Sequence, residues 1–383
     1  MKGGWQVKIG FVLDESFDGT DGIQQYMLTL GGWLSRRGHV VHYLVGQTSR
    51  TDVDSIWSLS RNVKVQFNGN RLSVPLPTNQ KKLRSVMEDL QLDVLHVQAP
   101  YSPFLSGRLI HFASAKVAVV GTFHIMPFGR LARMGSNVLG KINSSTAKRF
   151  DAMMAVSAPA QEFAGKHFGF QSVVVPNPFL WHVFSKAGSS ISPRHKKLRI
   201  VFLGRLVTRK GPKLLLTAVD ELVNTRSFGR PLEVIIAGRG PQLAEMKKYA
   251  SEHNLEKIVS FPGYVAEEDK AVFLASADLL VFPSPSGESF GISLIEAMAA
   301  GRGVVLAGDN PGYASVIADK RQLVQVLDRA AFARSLEFWL ENRQESAELV
   351  RLQKKHARSF DIELIGPKIE QIYKDALQKR KGS

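Results

Sequence analysis

Two glutamates in the second half of the chain, Glu288 and Glu296, stand eight residues apart in the segment Gly287–Gly301. Eight helical residues rise about 12 Å. Carboxylates so spaced cannot flank one glycosidic bond, because the paired acids of hydrolases lie about 5–9.5 Å apart. They can instead accept hydrogen bonds from two separate hydroxyl-bearing parts of one extended ligand. A helix N-terminus also favours an acid, but this alternative accounts for Glu288 and leaves Glu296, in an apolar stretch, unexplained.

Three cations, Arg205, Arg209 and Lys210, stand between Gly204 and Gly211, directly after a predicted buried strand. Charge-assisted hydrogen bonds, worth about 1.5–3 kcal/mol each, can hold a diphosphate at such a place. A solvated turn is the alternative, but it would not need glycine at both ends. The pattern favours an anion-binding loop.

Three further strand ends carry weaker signals. Gly22 precedes a predicted helix, where backbone N–H groups can approach an anion; an ordinary turn fits equally well, and neither a dinucleotide fingerprint nor a P-loop is present. Gly238 begins a Gly-Arg-Gly-Pro turn compatible with close packing on a nucleotide base. His124 follows a predicted strand, so it is either structural or part of a site.

Short apolar runs alternate with amphipathic helical stretches along the whole chain, which predicts parallel sheets covered by helices and a doubly wound α/β architecture. Ligands of such sheets bind beyond the carboxyl ends of the strands. The predicted strands are Lys8–Leu13, Val40–Val45, Val94–Val97, Val117–Phe123, Ala152–Val156, Ser172–Val175, Arg199–Leu203, Glu233–Ala237, Ile258–Phe261, Leu279–Phe282, Gly303–Leu306 and Leu323–Val326.

The strand series breaks at Trp181–Lys197, whose glycine, serine and proline content is typical of a linker. We therefore predict two α/β domains, an N-terminal one over residues 1–187 and a C-terminal one over residues 188–360. A C-terminal helix over 361–383 is expected to pack back on the N-terminal domain.

The 383 residues include 50 Lys and Arg against 34 Asp and Glu, a net charge of +16. This excess indicates a polyanionic partner, either nucleic acid, anionic lipid or a phosphorylated substrate, unless it reflects a basic proteome. From Val94 to Phe150 there are seven basic residues and no acid. The absence of cysteine excludes disulfides, cysteine-ligated metals and thiol catalysis. Without a spanning or export signal, a cytoplasmic location is expected.

Lys81, Lys82 and Arg84 accompany an apolar face at helical spacing in the segment Lys81–Leu90. A basic amphipathic helix can lie on an anionic membrane. A surface helix that packs one face on the core has the same pattern, so both interpretations stay open.

Together these motifs resemble family 4 of the retaining glycosyltransferases, which have the GT-B fold of two Rossmann-like domains facing each other across an interdomain cleft. The residues that carry the likeness are Gly287-Glu288-Ser289-Phe290-Gly291 with Glu296, Gly204-Arg205 with Arg209-Lys210-Gly211, Gly238-Arg239-Gly240, Phe123-His124 and Val156-Ser157.

Within that family the chain looks most like the phosphatidylinositol mannosyltransferases. The similar segments are Ser16-Phe17-Asp18, Gly22-Ile23-Gln24, Phe67-Asn68-Gly69, Asp93-Val94-Leu95-His96, Gly121-Thr122-Phe123-His124 and the basic helix Lys81–Leu90, which in those enzymes helps to engage membrane. Three segments depart from the pattern: Asp21-Gly22, the residues from Ile125 to Arg130, and Pro176-Asn177-Pro178. The departures leave the donor side intact and concern the acceptor.

The resemblance implies that the N-terminal domain, residues 1–187, binds the acceptor and that the C-terminal domain, residues 188–360, binds the nucleotide sugar. It also implies a role for each matching residue. Arg205 and Lys210 would bind the donor diphosphate near the Gly22 backbone, Glu288 the transferred sugar, and Glu296 the ribose. His124 would lie close to the reacting centre and, with Arg205, Lys210 and Glu288, form the catalytic set. The remaining donor-binding residues would be Gly238, Ser289, Phe290 and Gly291, and the acceptor-binding residues Asp18, Gln24, Asn68 and Arg130.

The expected activity is retaining transfer of a hexose, best represented by mannose from GDP-mannose, to a membrane lipid or phospho-polyol such as phosphatidylinositol. No metal, cofactor or nucleic acid is expected, and the enzyme would contact the inner face of an anionic membrane peripherally. The alternatives are transfer from a UDP-sugar to another glycolipid or cell-surface glycan, a phosphorylase or nucleotide-sugar epimerase, and a non-catalytic basic protein that binds nucleic acid or membrane.

Overall fold

A computed structural model describes residues 5–19, 21–67, 70–127, 135–136, 139–140, 143–188, 197–226 and 228–382. The chain forms two compact units. The first comprises Met1–Pro178 with Ile362–Ser383, and the second comprises Phe179–Asp361. The Asn68 and Arg130 predictions lie outside the described residues.

The first unit is built on a seven-stranded parallel sheet in the order β3-β2-β1-β6-β7-β8-β9. Strands β6 and β7 are buried along their whole length, as their apolar sequences require. The strands are β1 (Lys8–Leu13), β2 (Val40–Val45), β3 (Ile56–Ser58), β4 (Asn62–Phe67), β5 (Asn70–Pro75), β6 (Val94–Val97), β7 (Ala118–Phe123), β8 (Ala152–Ala155) and β9 (Val173–Val174), of which β4 and β5 pair as a separate antiparallel hairpin.

The C-terminal helix lies against the first unit, although it follows the second unit in sequence. Trp33 Nε1 donates to Glu363 Oε2 at 3.0 Å, and Arg37 forms a 2.8 Å ion pair with Glu370. Gly366 permits the close packing, because a Cβ there would come within 2.8 Å of the Trp33 ring. The other described helices of the first unit are α1 (Gly22–Arg36), α2 (Gln80–Leu90), α3 (Leu105–Phe112), α4 (Ser144–Ala147) and α5 (Ala158–Phe168), and the second unit begins with helix α6 (Trp181–Ala187).

The second unit has a six-stranded parallel sheet in the order β12-β11-β10-β13-β14-β15. Its strands are β10 (Leu198–Leu203), β11 (Leu232–Ala237), β12 (Val259–Gly263), β13 (Leu279–Phe282), β14 (Val304–Gly308) and β15 (Leu323–Val324). Its further helices are α7 (Pro212–Thr225), α8 (Leu243–Glu252), α9 (Glu267–Ala275), α10 (Ile292–Ala300), α11 (Pro311–Ala314), α12 (Arg329–Glu341) and α13 (Arg343–Ala357); the C-terminal helix of the chain is α14 (Ile362–Lys381).

The predicted pair of doubly wound α/β domains is confirmed, and each of the twelve predicted strands is present within a few residues. The linker prediction was wrong for residues 181–187. They form helix α6, which buries Phe184 and Ala187 and packs on α9 and α10. The structure accordingly divides the chain at 178/179 and not at 187/188. In the described part of the chain, no helix has the length and apolar character needed to span a bilayer.

Candidate active site

Glu288 and two of the predicted cations meet in the second unit. Glu288 is only 7% exposed, and Lys210 Nζ donates to its Oε2 at 3.0 Å. Arg209 Nη1 donates to the other carboxylate oxygen and also, at 3.1 Å, to the Gly287 backbone oxygen. Ser284 Oγ lies 3.1 Å from the same carboxylate. The segment with Arg209 and Lys210 and the segment with Ser284 and Glu288 therefore form one charged cluster, although 75 or more positions separate their contacting residues in sequence.

The sheet topology explains this meeting. Strand β10 pairs with β11 on one side and with β13 on the other, so the order of the strands reverses there. At such a switch point the loops after adjacent strands separate and leave a crevice for a ligand. Here the loop after β10 carries the cations, and the loop after β13 carries Ser284 and Glu288.

Short hydrogen bonds hold the two loops in register. Ser284 Oγ donates to the Arg209 backbone oxygen at 2.6 Å, and Asn310 Nδ2, from beyond β14, donates to the Ser284 backbone oxygen at 2.9 Å. Gly211, at φ +70°, lies directly against the Pro283 carbonyl, where a side chain would collide. Glycine is therefore required at this position for both backbone conformation and space.

Burial and charge pairing have opposite effects on the ionisable groups of this cluster. Burial by itself would raise the pKa of Glu288, but Lys210 and Arg209 together hold that pKa below its ordinary value. Burial lowers the pKa of Lys210, against the opposing effect of Glu288. Two cations share one carboxylate, and the half-buried Arg205 belongs to the same loop. The local charge excess is positive, which suits a phosphate-bearing ligand.

Glu296 lies apart from this cluster. It is 3% exposed within α10, and Lys270 Nζ of α9 is 2.8 Å from its carboxylate. Burial raises the pKa of Glu296 to about 7, although Lys270 opposes the shift. The two predicted glutamates thus have different partners. Sequence reasoning missed Lys270, because nothing in the run Glu267-Glu268-Asp269-Lys270 indicates that this lysine is buried. Arg209 was seen as a cation but was not assigned a site role.

The other predicted donor residues take varied positions. Gly238 (φ +142°) and Gly291 (φ +124°) adopt backbone conformations that favour glycine, and Gly291 directly precedes α10. Ser289 is half-buried. Phe290 is buried with its ring 5.6 Å from that of Phe360, so its side chain belongs to the core.

In the first unit, His124 follows β7 and Gln98 follows the neighbouring strand β6. Their side chains meet, with His124 Nε2 2.8 Å from Gln98 Oε1. Gln98 Nε2 donates to the His96 backbone oxygen at 3.4 Å, which directs Oε1 toward the imidazole. His124 Nε2 is therefore the donor of the pair. Burial lowers the pKa of His124 to about 3, so the ring is neutral at physiological pH.

A buried network continues from this pair to the C-terminal helix. His96 Nδ1 lies 2.7 Å from the hydroxyl of Tyr373 in α14, and His96 Nε2 lies 2.7 Å from Thr122 Oγ1. Burial lowers the pKa of His96 to about 3, with a smaller contribution from His124. Tyr26 of α1 contacts the His124 ring edge-on at 4.9 Å.

The predicted acceptor residues shape the loop between β1 and α1. Asp18 accepts hydrogen bonds from Thr48 Oγ1 and the Ser49 backbone N–H, each at 2.7 Å. Gln24 is buried and donates to the Ser16 backbone oxygen at 3.0 Å, while its Oε1 accepts no hydrogen bond from the described residues. Gly22 is the first residue of α1.

Asp14 is a buried carboxylate that sequence reasoning missed. It directly follows β1 and accepts hydrogen bonds from the hydroxyls of Ser102 and Ser106 and, at 2.8 Å, from the Ser106 backbone N–H. Burial raises the pKa of Asp14, and these hydrogen bonds oppose the shift. Asp14 thus caps the first turn of α3 from a distant part of the chain.

The predicted membrane residues lie on the exposed side of α2. Lys81, Lys82 and Arg84 are exposed, while the opposite face of the helix is buried. The amphipathic pattern is thus real, and it positions the cations at the surface. Among the residues that the structure describes, no group of three or more His, Asp or Glu side chains is arranged to hold a metal.

Two family models match the chain: "Glycosyltransferase Family 4" over residues 20–179 and "Glycosyl transferases group 1" over residues 187–357. The phosphatidyl-myo-inositol mannosyltransferase of Mycolicibacterium smegmatis is 30% identical over 372 residues, covering 96% of this chain and 93% of that protein. Its namesake from Mycobacterium tuberculosis is 29% identical over 376 residues, covering 96% of each.

Solved structures show the same fold. A glycosyltransferase from Rickettsia africae superposes with a TM-score of 0.75 at 17% identity, covering 97% of this chain and 99% of that one. The Anabaena HepE protein, in complex with UDP and glucose, superposes with a TM-score of 0.74 at 17% identity, covering 95% of this chain and 98% of that one. The two Rossmann-like units are those of the GT-B fold.

Proposed function

This chain belongs to the family 4 glycosyltransferases, and we propose that it transfers mannose from GDP-mannose to an inositol phospholipid at an anionic membrane surface. The observation that carries the donor half of the proposal is the cluster of Arg209, Lys210 and Glu288 at the switch point of the second sheet. The acceptor half is supported by the likeness, over nearly the whole chain, to proteins named phosphatidyl-myo-inositol mannosyltransferase.

In this proposal the second unit binds the nucleotide sugar. Arg205, Arg209 and Lys210 neutralise the diphosphate, and Glu288 accepts hydrogen bonds from the transferred sugar. Glu288 also fixes both neighbouring cations, which reduces the reorganisation needed when the ligand arrives. Glu296 accepts a hydrogen bond from the ribose, with Lys270 holding its carboxylate in place.

The reaction breaks the bond between the anomeric carbon and the diphosphate oxygen. Negative charge grows on the leaving diphosphate, and Arg205 and Lys210 stabilise it as preorganised charges. The acceptor hydroxyl attacks the face that the diphosphate leaves, and a donor phosphate oxygen takes its proton. The configuration at the anomeric carbon is thereby retained. The fixed cations perform the electrostatic role that a metal ion fills in other transferases, so the proposal includes no metal.

The first unit binds the acceptor in this scheme. His124 contributes a neutral imidazole near the reacting centre, and Gln24 offers a buried carbonyl oxygen to an acceptor hydroxyl. The exposed cations Lys81, Lys82 and Arg84 of α2 contact anionic headgroups. Each such cation adds about 1 kcal/mol of attraction to an anionic surface.

The test is to incubate the purified protein with GDP-mannose and phosphatidylinositol vesicles, measuring GDP release and mannosylated lipid by mass spectrometry. Parallel reactions contain UDP-glucose and UDP-N-acetylglucosamine, so that a UDP-sugar transferase is recognised by its own product. Release of no nucleoside diphosphate from any of these donors with a total lipid extract would overturn the proposal. Salt-sensitive binding to nucleic acid, without a thermal shift on adding GDP, would instead favour the non-catalytic alternative.

A further inference from the structure

An open cavity of about 280 Å³ lies between α2 and α3 in the first unit, and His124 is not one of its lining residues. Its wall is mostly polar and carries three basic side chains. The lining residues that matter here are Gln80, Arg84, Arg108, His111, Phe112 and Thr146.

The two arginines of this cavity are held by contacts that leave their charge uncompensated. The Arg84 guanidinium lies 5.5 Å from the centre of the Phe112 ring, and Arg108 Nη1 donates to the Thr78 backbone oxygen at 3.2 Å. Neither arginine forms an ion pair within the described ranges, and every Asp and Glu of the sequence falls inside those ranges. Most of the five N–H donors of each guanidinium remain available.

The surrounding sequence reinforces the positive potential. Helix α3 and Thr146 belong to the segment from Val94 to Phe150, which contains no acid. A planar guanidinium can grip two oxygens of a phosphate at once, and two guanidiniums on opposite walls can share one phosphate between them. Gln80 and Thr146 add neutral polar groups at the rim.

We propose that this cavity is a phosphate-binding site, with Arg84 and Arg108 as the principal ligands of a phosphomonoester or phosphodiester group. The site shares no residue with the cationic loop of the second unit. It also differs from the proposed membrane contact of α2, because phosphate binding in the cavity requires Arg108 of α3 and the membrane contact of α2 does not. The phosphate can come from a lipid headgroup or from a free phosphorylated molecule, since both present the same oxygens.

The first measurement is binding of inorganic phosphate to the full-length protein by calorimetry, for the wild type, Arg108→Gln and Lys116→Gln. Lys116 is an exposed cation of the same acid-free segment that does not line the cavity, so its variant controls for net charge. We expect Arg108→Gln to weaken binding about tenfold, equivalent to about 1.4 kcal/mol, and Lys116→Gln to change it less than about twofold. Arg84→Gln should behave like Arg108→Gln.

The second measurement identifies the source of the phosphate by co-sedimentation with phosphatidylcholine vesicles, with and without phosphatidylglycerol. Loss of phosphatidylglycerol-dependent binding in Arg108→Gln, but not in Lys116→Gln, assigns the site to a lipid headgroup. Inorganic phosphate binding that depends on Arg108, with vesicle binding that does not, assigns it to a free phosphorylated ligand. Equal effects of the two variants in both measurements, or no effect of either, would overturn the proposal. None of these readouts requires glycosyl transfer, so they stand if the proposed activity fails.

Discussion

The carboxyl ends of the two central sheets carry opposite kinds of polar chemistry. In the first unit, Gln98, His124 and His96 form a buried network of neutral groups that ends on Tyr373. In the second unit, Arg209 and Lys210 bind Glu288 as charged partners. Both sets lie at or beyond the carboxyl ends of parallel strands, so the same type of fold supports both.

This difference has an electrostatic reason. A diphosphate needs fixed positive charge, and a carboxylate that holds two cations in place lets them remain charged at low solvent exposure. An acceptor hydroxyl is uncharged and can be bound by neutral hydrogen-bonding groups. Burial keeps both histidines, His96 and His124, neutral. In the proposed function, the charged cluster of the second unit serves the donor diphosphate, and the neutral network of the first unit serves the acceptor hydroxyl.

The largest expected effect on stability follows from Glu288→Gln. Removing the carboxylate leaves two neighbouring cations without their counter-charge, which should lower the free energy of unfolding by about 3 kcal/mol. Glu245→Gln is the matched control, because Glu245 pairs with Lys213 at an exposed position, where ion pairs contribute about 0–1 kcal/mol. Urea denaturation measures both. Equal losses would remove the distinction between a buried charged cluster and a surface pair.

Lys210→Ala tests the catalytic side of the same cluster. Loss of one preorganised cation should lower kcat about 10²–10³-fold, as for other groups that stabilise developing charge. Lys213→Ala, three residues further along and exposed, should leave kcat nearly unchanged. Steady-state kinetics with a saturating nucleotide sugar provide the measurement. Wild-type activity in Lys210→Ala would refute its assigned role.

Tyr373→Phe probes the neutral network from its distal end. The variant leaves the buried Nδ1 of His96 without its hydroxyl partner, which should destabilise the protein by about 1–3 kcal/mol. Tyr264→Phe, at a half-exposed position in the second unit, should cost less than about 0.5 kcal/mol. Thermal or urea unfolding compares the two. No loss in Tyr373→Phe would show that this hydrogen bond does not anchor the C-terminal helix.

His124→Asn should change how stability depends on pH. The folded-state pKa of about 3 lies below the unfolded value of about 6.5, so the unfolded chain binds the additional proton. Stability contributed by neutral His124 is complete above about pH 6.5 and is lost as the pH falls toward 3. We therefore expect the variant to reduce the slope of the free energy of unfolding against pH, between pH 6 and 4, by about 1.4 kcal/mol per pH unit. Urea denaturation of the wild type and the variant at several pH values measures this slope. An unchanged slope would mean that His124 titrates normally in the folded protein.

Strand positions were predictable because parallel strands covered on both faces must be short, continuous and apolar. The stretch Leu279–Phe282, for example, carries that signal by itself. Helix α6 was not predictable, because its seven residues make only two helical turns, too few to show a helical period, and because Phe184 is buried only against α9 and α10. The pairs Lys270–Glu296 and Asp14–Ser106 were also missed, because their members are distant in sequence.

The sequence by itself determined the two α/β units, the cationic loop after β10 and the two glutamates of the second unit, because composition, period and local spacing encode these features. Only the tertiary structure decided which polar groups meet. It joined Glu288 to Arg209 and Lys210, joined Glu296 to Lys270, and placed Tyr373 on His96. The physical reason is that the strand order and the return of the C-terminal helix bring together groups that are far apart in sequence. The number of residues between two such groups does not indicate how close they lie in space.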